Sequence, residues 1–283
     1  MPMELYEDAP GDVRNATALA AASQFAYYPE DRGIADFQSE LGMTAKLISV
    51  NNTQAYVAEN DNHVLVAFRG SEGPTSLDGL KDWFITNAMN LLIQPNGPLA
   101  TEFLAAGVGA RWHAGFISAI RDIWEPLYAA VEEKQKAKER CFWITGHSLG
   151  GALALLASWL FLRKTMPPQQ IVTFGGPMVG NVVVSEAFNR EFGGKIFRYV
   201  NSPDPVPLLP MMSVTSNEFI HCDKLMILGD EAQAANLFAY LKDSAGDAAS
   251  AVLTGSLGEQ LWEKVIKGRI VAHLLNDYRA LLK

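Results

Sequence analysis

The chain is poor in cysteine. Its 283 residues contain only Cys141 and Cys222. They make no CxxC pair and no zinc-type spacing with histidine. The expectation is two reduced, buried thiols in an intracellular protein, with a disulfide between them as the alternative. Basic charge is also short. Lys and Arg total 23 against 31 Asp and Glu, a net charge of −8. A nucleic-acid binder needs a basic stripe to displace counterions, so that class is excluded. Electrostatic docking on an anionic membrane is disfavoured too, whereas a neutral lipid substrate is not. No apolar run reaches the ~18 residues of a membrane span. The start, MPMELYEDAP, is polar and acidic, unlike a signal peptide, and so predicts a cytoplasmic protein. Signal-independent secretion is the alternative. No metal-ligand cluster is visible, and no cofactor is expected.

Apolar material is abundant, with 49% hydrophobic residues, enough for a sizeable core. A helix is predicted over 12–28. Strands are predicted at 45–50, 54–60 and 63–69, with ENDN (59–62) as a hairpin turn. From 115 the pattern alternates. A helix at 116–138, kinked at Pro126, leads to a strand at 141–145 and a helix at 148–164. A strand at 170–174, a helix at 182–192 and a strand at 196–200 follow. Next come a proline-rich loop, a strand at 218–228 and a helical C-terminal third. Such alternation predicts a mostly parallel sheet flanked by helices, with sites at the carboxyl ends of strands. No linker divides the chain, so one domain, 1–283, is expected.

One stretch carries chemistry. Residues 146–150, GHSLG, fit G-x-S-x-G. Small neighbours let a serine sit on a tight strand-to-helix turn with its hydroxyl exposed. By composition the bare pattern arises in about one chain of this length in ten. Here it follows a predicted strand and opens a predicted helix, the context that favours Ser148 as a nucleophile, with a helix cap as the alternative.

A serine nucleophile needs a base and an orienting acid. Of the five histidines, His147 adjoins the serine, and its side chain should point away. His63 precedes it, against the order Ser, Asp or Glu, His. His113 reads as a packed residue. His221 and His273 both survive on order. Asp204, in YVNSPDPVPLLP, follows a strand in a loop stiffened by Pro203 and Pro205, which makes it the best acid. Asp223 and Asp277 are less well placed. Oxyanion donors are expected at the Leu149 N–H and at Ser71, just after a strand.

Several stretches together are more specific. FRGS (68–71), DW (82–83), HAGF (113–116), GHSLGG (146–151), TFGGPMVGN (173–181), RYVNSPDPVPLLP (198–210) and AHLLNDY (272–278) resemble the class 3 lipases. These are α/β-hydrolases related to filamentous-fungal triacylglycerol lipases. The resemblance begins near Ala22 and runs to the C-terminus. It implies a triad of Ser148, Asp204 and His273, an oxyanion hole from Ser71 and Leu149, and a helical lid after FRGS. It ranks His273 above His221. It implies hydrolysis of acylglycerol esters through an acyl-enzyme, at an oil–water interface. Phospholipase A1, monoacylglycerol lipase and phenolic-ester esterase are alternatives, and a non-catalytic lipid- or protein-binding module is a rival of another class.

The sequence departs from the fungal pattern in its start, its two cysteines, and its long stretches 72–112 and 230–262. The lid candidate is 72–105, with Trp83, Phe84, Met89 and Leu92 on an apolar face bounded by glycines and prolines. Periodicity alone reads that face equally as a core helix. Residues 230–262 are a candidate second cap, or helices closing the fold.

Overall fold

The structure is a computed structural model that describes residues 2–71, 92–208, 219–237, 263 and 267–282. Its helices are α1 (Val13–Phe25), α2 (Glu30–Leu41), α3 (Ala100–Leu104), α4 (Ala114–Ala137), α5 (Leu149–Arg163), α6 (Val182–Glu191), α7 (Ile270–His273) and α8 (Leu275–Leu281). Its strands are β1 (Thr44–Val50), β2 (Thr53–Glu59), β3 (His63–Phe68), β4 (Leu92–Ile93), β5 (Trp112–His113), β6 (Cys141–His147), β7 (Gln170–Phe174), β8 (Gly180–Asn181), β9 (Ile196–Asn201), β10 (Phe219–Ile220) and β11 (Lys224–Leu228).

The main sheet runs β1-β2-β3-β6-β7-β9-β11. β1, β2 and β3 form an antiparallel meander, and β3 through β11 pair in parallel. The ENDN turn closes as expected. Asn60 Oδ1 accepts from the N–H groups of Asn62 and His63 at 3.0 and 2.9 Å, an Asx turn that sets the hairpin.

Side chains alternate across the sheet. Val64, Val66 and Phe68 face one core with α4, α5 and α6. Leu65 and Ala67 face the other, with α1, α2, Leu275 and Tyr278. Both faces are covered, as a parallel sheet requires. α5 is buried at every position from Gly150 to Phe161, so it reads as apolar all round rather than striped. α4 runs unbroken through Pro126. Among the described residues no helix is long and apolar enough to cross a membrane.

A second, small antiparallel sheet has the order β10-β8-β5-β4. Its two-residue strands are below what periodicity can detect. The expected strand 218–228 is two strands, β10 and β11, in different sheets, with His221 in the bend between them.

Of the lid candidates only Leu92 is described. It lies in β4, paired with His113, and is buried against Met178 and Phe219. The neighbouring α3 is held likewise, with Phe103 in the main core. Trp83, Phe84 and Met89 lie outside the described residues. Of the second cap candidate, residues 231–237 are helical and Leu237 is buried, while 238–262 lie outside.

Candidate active site

The site stands at the carboxyl ends of β3, β6 and β9. Ser148 occupies the turn between β6 and α5 with φ 58° and ψ −130°, a conformation that costs a non-glycine residue about 1–3 kcal/mol. The surroundings hold it there. The Ser148 N–H donates to the Phe174 carbonyl at 2.9 Å, and its own carbonyl accepts from Gly151 at 2.9 Å. The flanking glycines are dictated by contact. A Cβ on Gly146 would lie 2.2 Å from the Gly150 oxygen, and one on Gly150 would lie 2.4 Å from the Phe68 oxygen.

Ser148 Oγ lies 2.9 Å from His273 Nε2. His273 Nδ1 lies 2.8 Å from Asp204 Oδ2. All three are buried. A carboxylate only accepts, so Nδ1 carries the proton and Nε2 is free to accept from the serine. The second carboxylate oxygen of Asp204 accepts from the Val206 N–H at 2.9 Å. His273 ends the short α7, before a break at Leu274, rather than starting the last helix. Asn201 steadies that turn: its Nδ2 donates to the Ala272 carbonyl at 2.9 Å.

Sequence reasoning assigned no role to several supporting residues. Tyr278 donates its hydroxyl to Asp204 Oδ2 at 2.5 Å. Burial first, then the Asp204 charge, pushes its phenol pKa well up, so it stays a donor. Gly175 has φ +58°, and a Cβ there would meet Asp204 Oδ2 at 2.8 Å and His273 Cε1 at 3.1 Å. Its place in TFGG, directly after a strand, was the available signal.

His147 bonds to groups other than the serine hydroxyl. Its Nε2 is 2.7 Å from the His273 carbonyl, and its Nδ1 is 2.8 Å from the Tyr27 hydroxyl. A carbonyl cannot donate, so Nε2 carries the proton and Nδ1 accepts from the tyrosine. Burial and the neighbouring His273 hold the His147 pKa well below the usual imidazole range. Burial also pushes the Tyr27 phenol up. A Cβ on Gly70 would lie 2.0 Å from the Tyr27 hydroxyl. Tyr27 thus packs on the FRGS loop while its bond to His147 leads on to the backbone of His273.

Ser71 ends that loop. Its hydroxyl is buried and has no hydrogen-bond partner among the described residues. Leu149 is the first residue of α5, where backbone N–H groups and the helix dipole favour developing negative charge. A cleft of about 190 Å³ opens beside Ser148, Ser71 and His273.

The other candidates sit elsewhere. His221 donates from Nε2 to the Pro207 carbonyl at 2.5 Å, and burial, then Arg198, depresses its pKa well below the usual range. His63 accepts from the Trp143 indole at 3.2 Å. His113 stacks on Phe116. Asp223 accepts from the Gly194 N–H, far from Ser148 in the fold. Asp277 lies in α8, and the described contacts do not bring it to His273. Cys141 and Cys222 are free thiols. No group of histidine, cysteine and carboxylate residues among the described ones is arranged to hold a metal ion.

The sheet, the elbow and the site order define an α/β-hydrolase. A family model for class 3 lipases matches residues 65–214, more than half of the chain. The chain belongs to that family. A secreted mono- and diacylglycerol lipase of Fusarium solani is 33% identical over 159 residues, 55% of this chain and 42% of that protein. A chloroplastic phospholipase A(1) of Arabidopsis thaliana is 30% identical over 164 residues, 55% of this chain and 35% of that protein. The match therefore spans less than half the length of these two relatives. A solved triacylglycerol lipase, whose catalytic centre is described as a serine protease triad, has the same fold. Its TM-score is 0.60 at 23% identity, over 79% of this chain and 83% of that one.

The expected cytoplasmic location is overturned by these relatives. Several, from Fusarium, Malassezia and Penicillium, are secreted lipases. Neither the polar first residues nor the scarcity of cysteine carries a location.

Proposed function

We propose that this chain is a serine carboxylic-ester hydrolase that cleaves acylglycerols. The observation that carries the reading is the hydrogen-bonded series Ser148–His273–Asp204, at 2.9 and 2.8 Å, opening on a cleft. Its relatives include a mono- and diacylglycerol lipase and a phospholipase A1, so the ester, rather than the head group, is the shared feature. Secreted relatives support an extracellular site of action.

The steps follow from the geometry. Ser148 Oγ attacks the ester carbonyl while His273 Nε2 takes its proton. The carbonyl electron pair moves onto oxygen, facing the Ser71 hydroxyl and the Leu149 N–H. Asp204 holds the imidazole tautomer and stabilises the imidazolium. The oxyanion collapses and the C–O bond to the alcohol breaks. His273 returns the proton to the departing oxygen. Water then attacks the acyl-enzyme through the same base, releasing the acid and restoring Ser148.

A chain-length series of p-nitrophenyl esters, run beside emulsified triacylglycerol, tests the reading. Hydrolysis of both by the wild-type chain, lost in Ser148→Ala, is expected. Absence of ester hydrolysis in folded wild-type protein would overturn it.

A further inference from the structure

The cleft is lined by apolar Leu274 and Leu275 and by polar Gln24, Tyr28 and Asn276. The amides are ordered by their partners. Gln24 Oε1 accepts from the guanidinium of Arg279, which can only donate. Gln24 Nε2 therefore faces Asn276, and donates to its Oδ1 at 2.8 Å. Arg279 is tethered on its other side by Glu40, at 3.7 Å. The series Glu40–Arg279–Gln24–Asn276 leaves Asn276 with its carbonyl occupied. Its Nδ2 group makes no hydrogen bond among the described residues, and the residue is exposed at the cleft.

The position matters for chemistry. His273 Nε2 must reach the leaving oxygen, so the alcohol part of the substrate lies on the His273 side of the cleft. Asn276 stands three residues beyond His273 and lines the same cleft. Among the described residues, no Lys or Arg lines it. Arg279 is turned to Gln24 and Glu40. Arg32 stacks on the Tyr28 ring at 3.7 Å and pairs with Asp36 at 3.5 Å. Among the described residues a phosphate would find no cation in the cleft, and Arg or Lys is the favoured partner of a phosphate. A free hydroxyl, which can accept from an amide, would find a fixed donor.

We propose that Gln24 and Asn276 form a subsite for the free hydroxyl of an uncharged alcohol, selecting partial acylglycerols over phospholipids. This rests on the ester-hydrolase reading above.

The test compares kcat/KM for a monoacylglycerol and a phosphatidylcholine of one acyl chain, in mixed detergent micelles. Each value is divided by that for the p-nitrophenyl ester of the same acid, which offers no free hydroxyl. Wild-type protein should favour the monoacylglycerol. Asn276→Leu should lower the monoacylglycerol ratio by about tenfold, the size of one lost hydrogen bond at the upper end of its usual range. Asn276→Asp keeps an acceptor for Gln24 but offers the substrate no donor, and should lower the ratio similarly. It serves if the leucine variant does not fold. Unchanged ratios in the folded variants, or a wild-type preference for phosphatidylcholine, would overturn the subsite. No hydrolysis of any ester by wild type would instead overturn the underlying reading.

Discussion

Tyr278 and His273 share one oxygen of Asp204. The tyrosine hydroxyl reaches Oδ2 at 2.5 Å and the imidazole Nδ1 reaches it at 2.8 Å. The carboxylate is buried, so each donor replaces lost water. Tyr278→Phe keeps the ring and removes one charge-assisted bond, a loss of about 1.5–3 kcal/mol. We expect kcat on a p-nitrophenyl ester to fall at least tenfold while the melting temperature moves only a few degrees. A kcat within twofold of wild type would show that the shared oxygen does not need its second donor.

Gly175 gives this pair its room. Alanine there would be strained at φ +58° and would press on Asp204 Oδ2. A misplacement near 1 Å can cost about 100-fold in rate, and Gly175→Ala should lose activity on that scale. Steady-state kinetics on folded variant protein decide it.

Ser71 has a buried hydroxyl with no partner among the described residues. If it donates to the oxyanion, Ser71→Ala should lower kcat by about 10²–10³, the usual cost of one such donor, with KM little changed. A main effect on KM would instead make Ser71 a ground-state contact.

His147, His221 and His63 all have pKa values depressed below 6.5, in each case chiefly by burial. The unfolded chain therefore binds more protons than the folded chain below pH 6.5. Their contribution is complete above that pH and is lost as pH falls towards the folded pKa. Stability should drop below pH 6.5, at a slope of about 1.4 kcal/mol per pH unit for each extra proton bound on unfolding. Urea midpoints at pH 7.5, 6.0 and 5.0 measure it. His221→Gln, which can still donate to Pro207, should flatten the slope.

Burial pushes the Cys141 thiol up to about 12 and the Cys222 thiol up to about 11. Thiolate is the reactive form. Both thiols should resist a thiol reagent in native protein and react fully in denaturant, and reductant should leave the melting temperature unchanged.

The main sheet was legible because its elements are long and periodic. β6, the elbow and α5 form one apolar–glycine–apolar pattern that the structure reproduces to within a few residues. The second sheet was not legible, because its strands of two residues have no period. α2 was missed too: only Gly33, Phe37 and Leu41 of its twelve residues are buried, a thin stripe. The strand at Leu92 was not legible either, because an apolar residue between glycines and prolines looks the same on a flap as in a short strand. At the site, Ser148 announced itself by local spacing. Its partners are joined only by the fold: Asp204 lies 69 residues from His273, and residue order left His221 open until the family resemblance ranked the two. Asn276 and Tyr278 lie in AHLLNDY, but that stretch gives neither a role; only the folded chain sets Tyr278 against Asp204 and brings Gln24 and Asn276 together at the cleft.

The most direct measurement is fluorophosphonate labelling of the folded chain, with the modified peptide identified by mass spectrometry. The account predicts one adduct, on Ser148, with loss of both adduct and ester hydrolysis in Ser148→Ala. An adduct on another residue, or undiminished hydrolysis by Ser148→Ala, would contradict it.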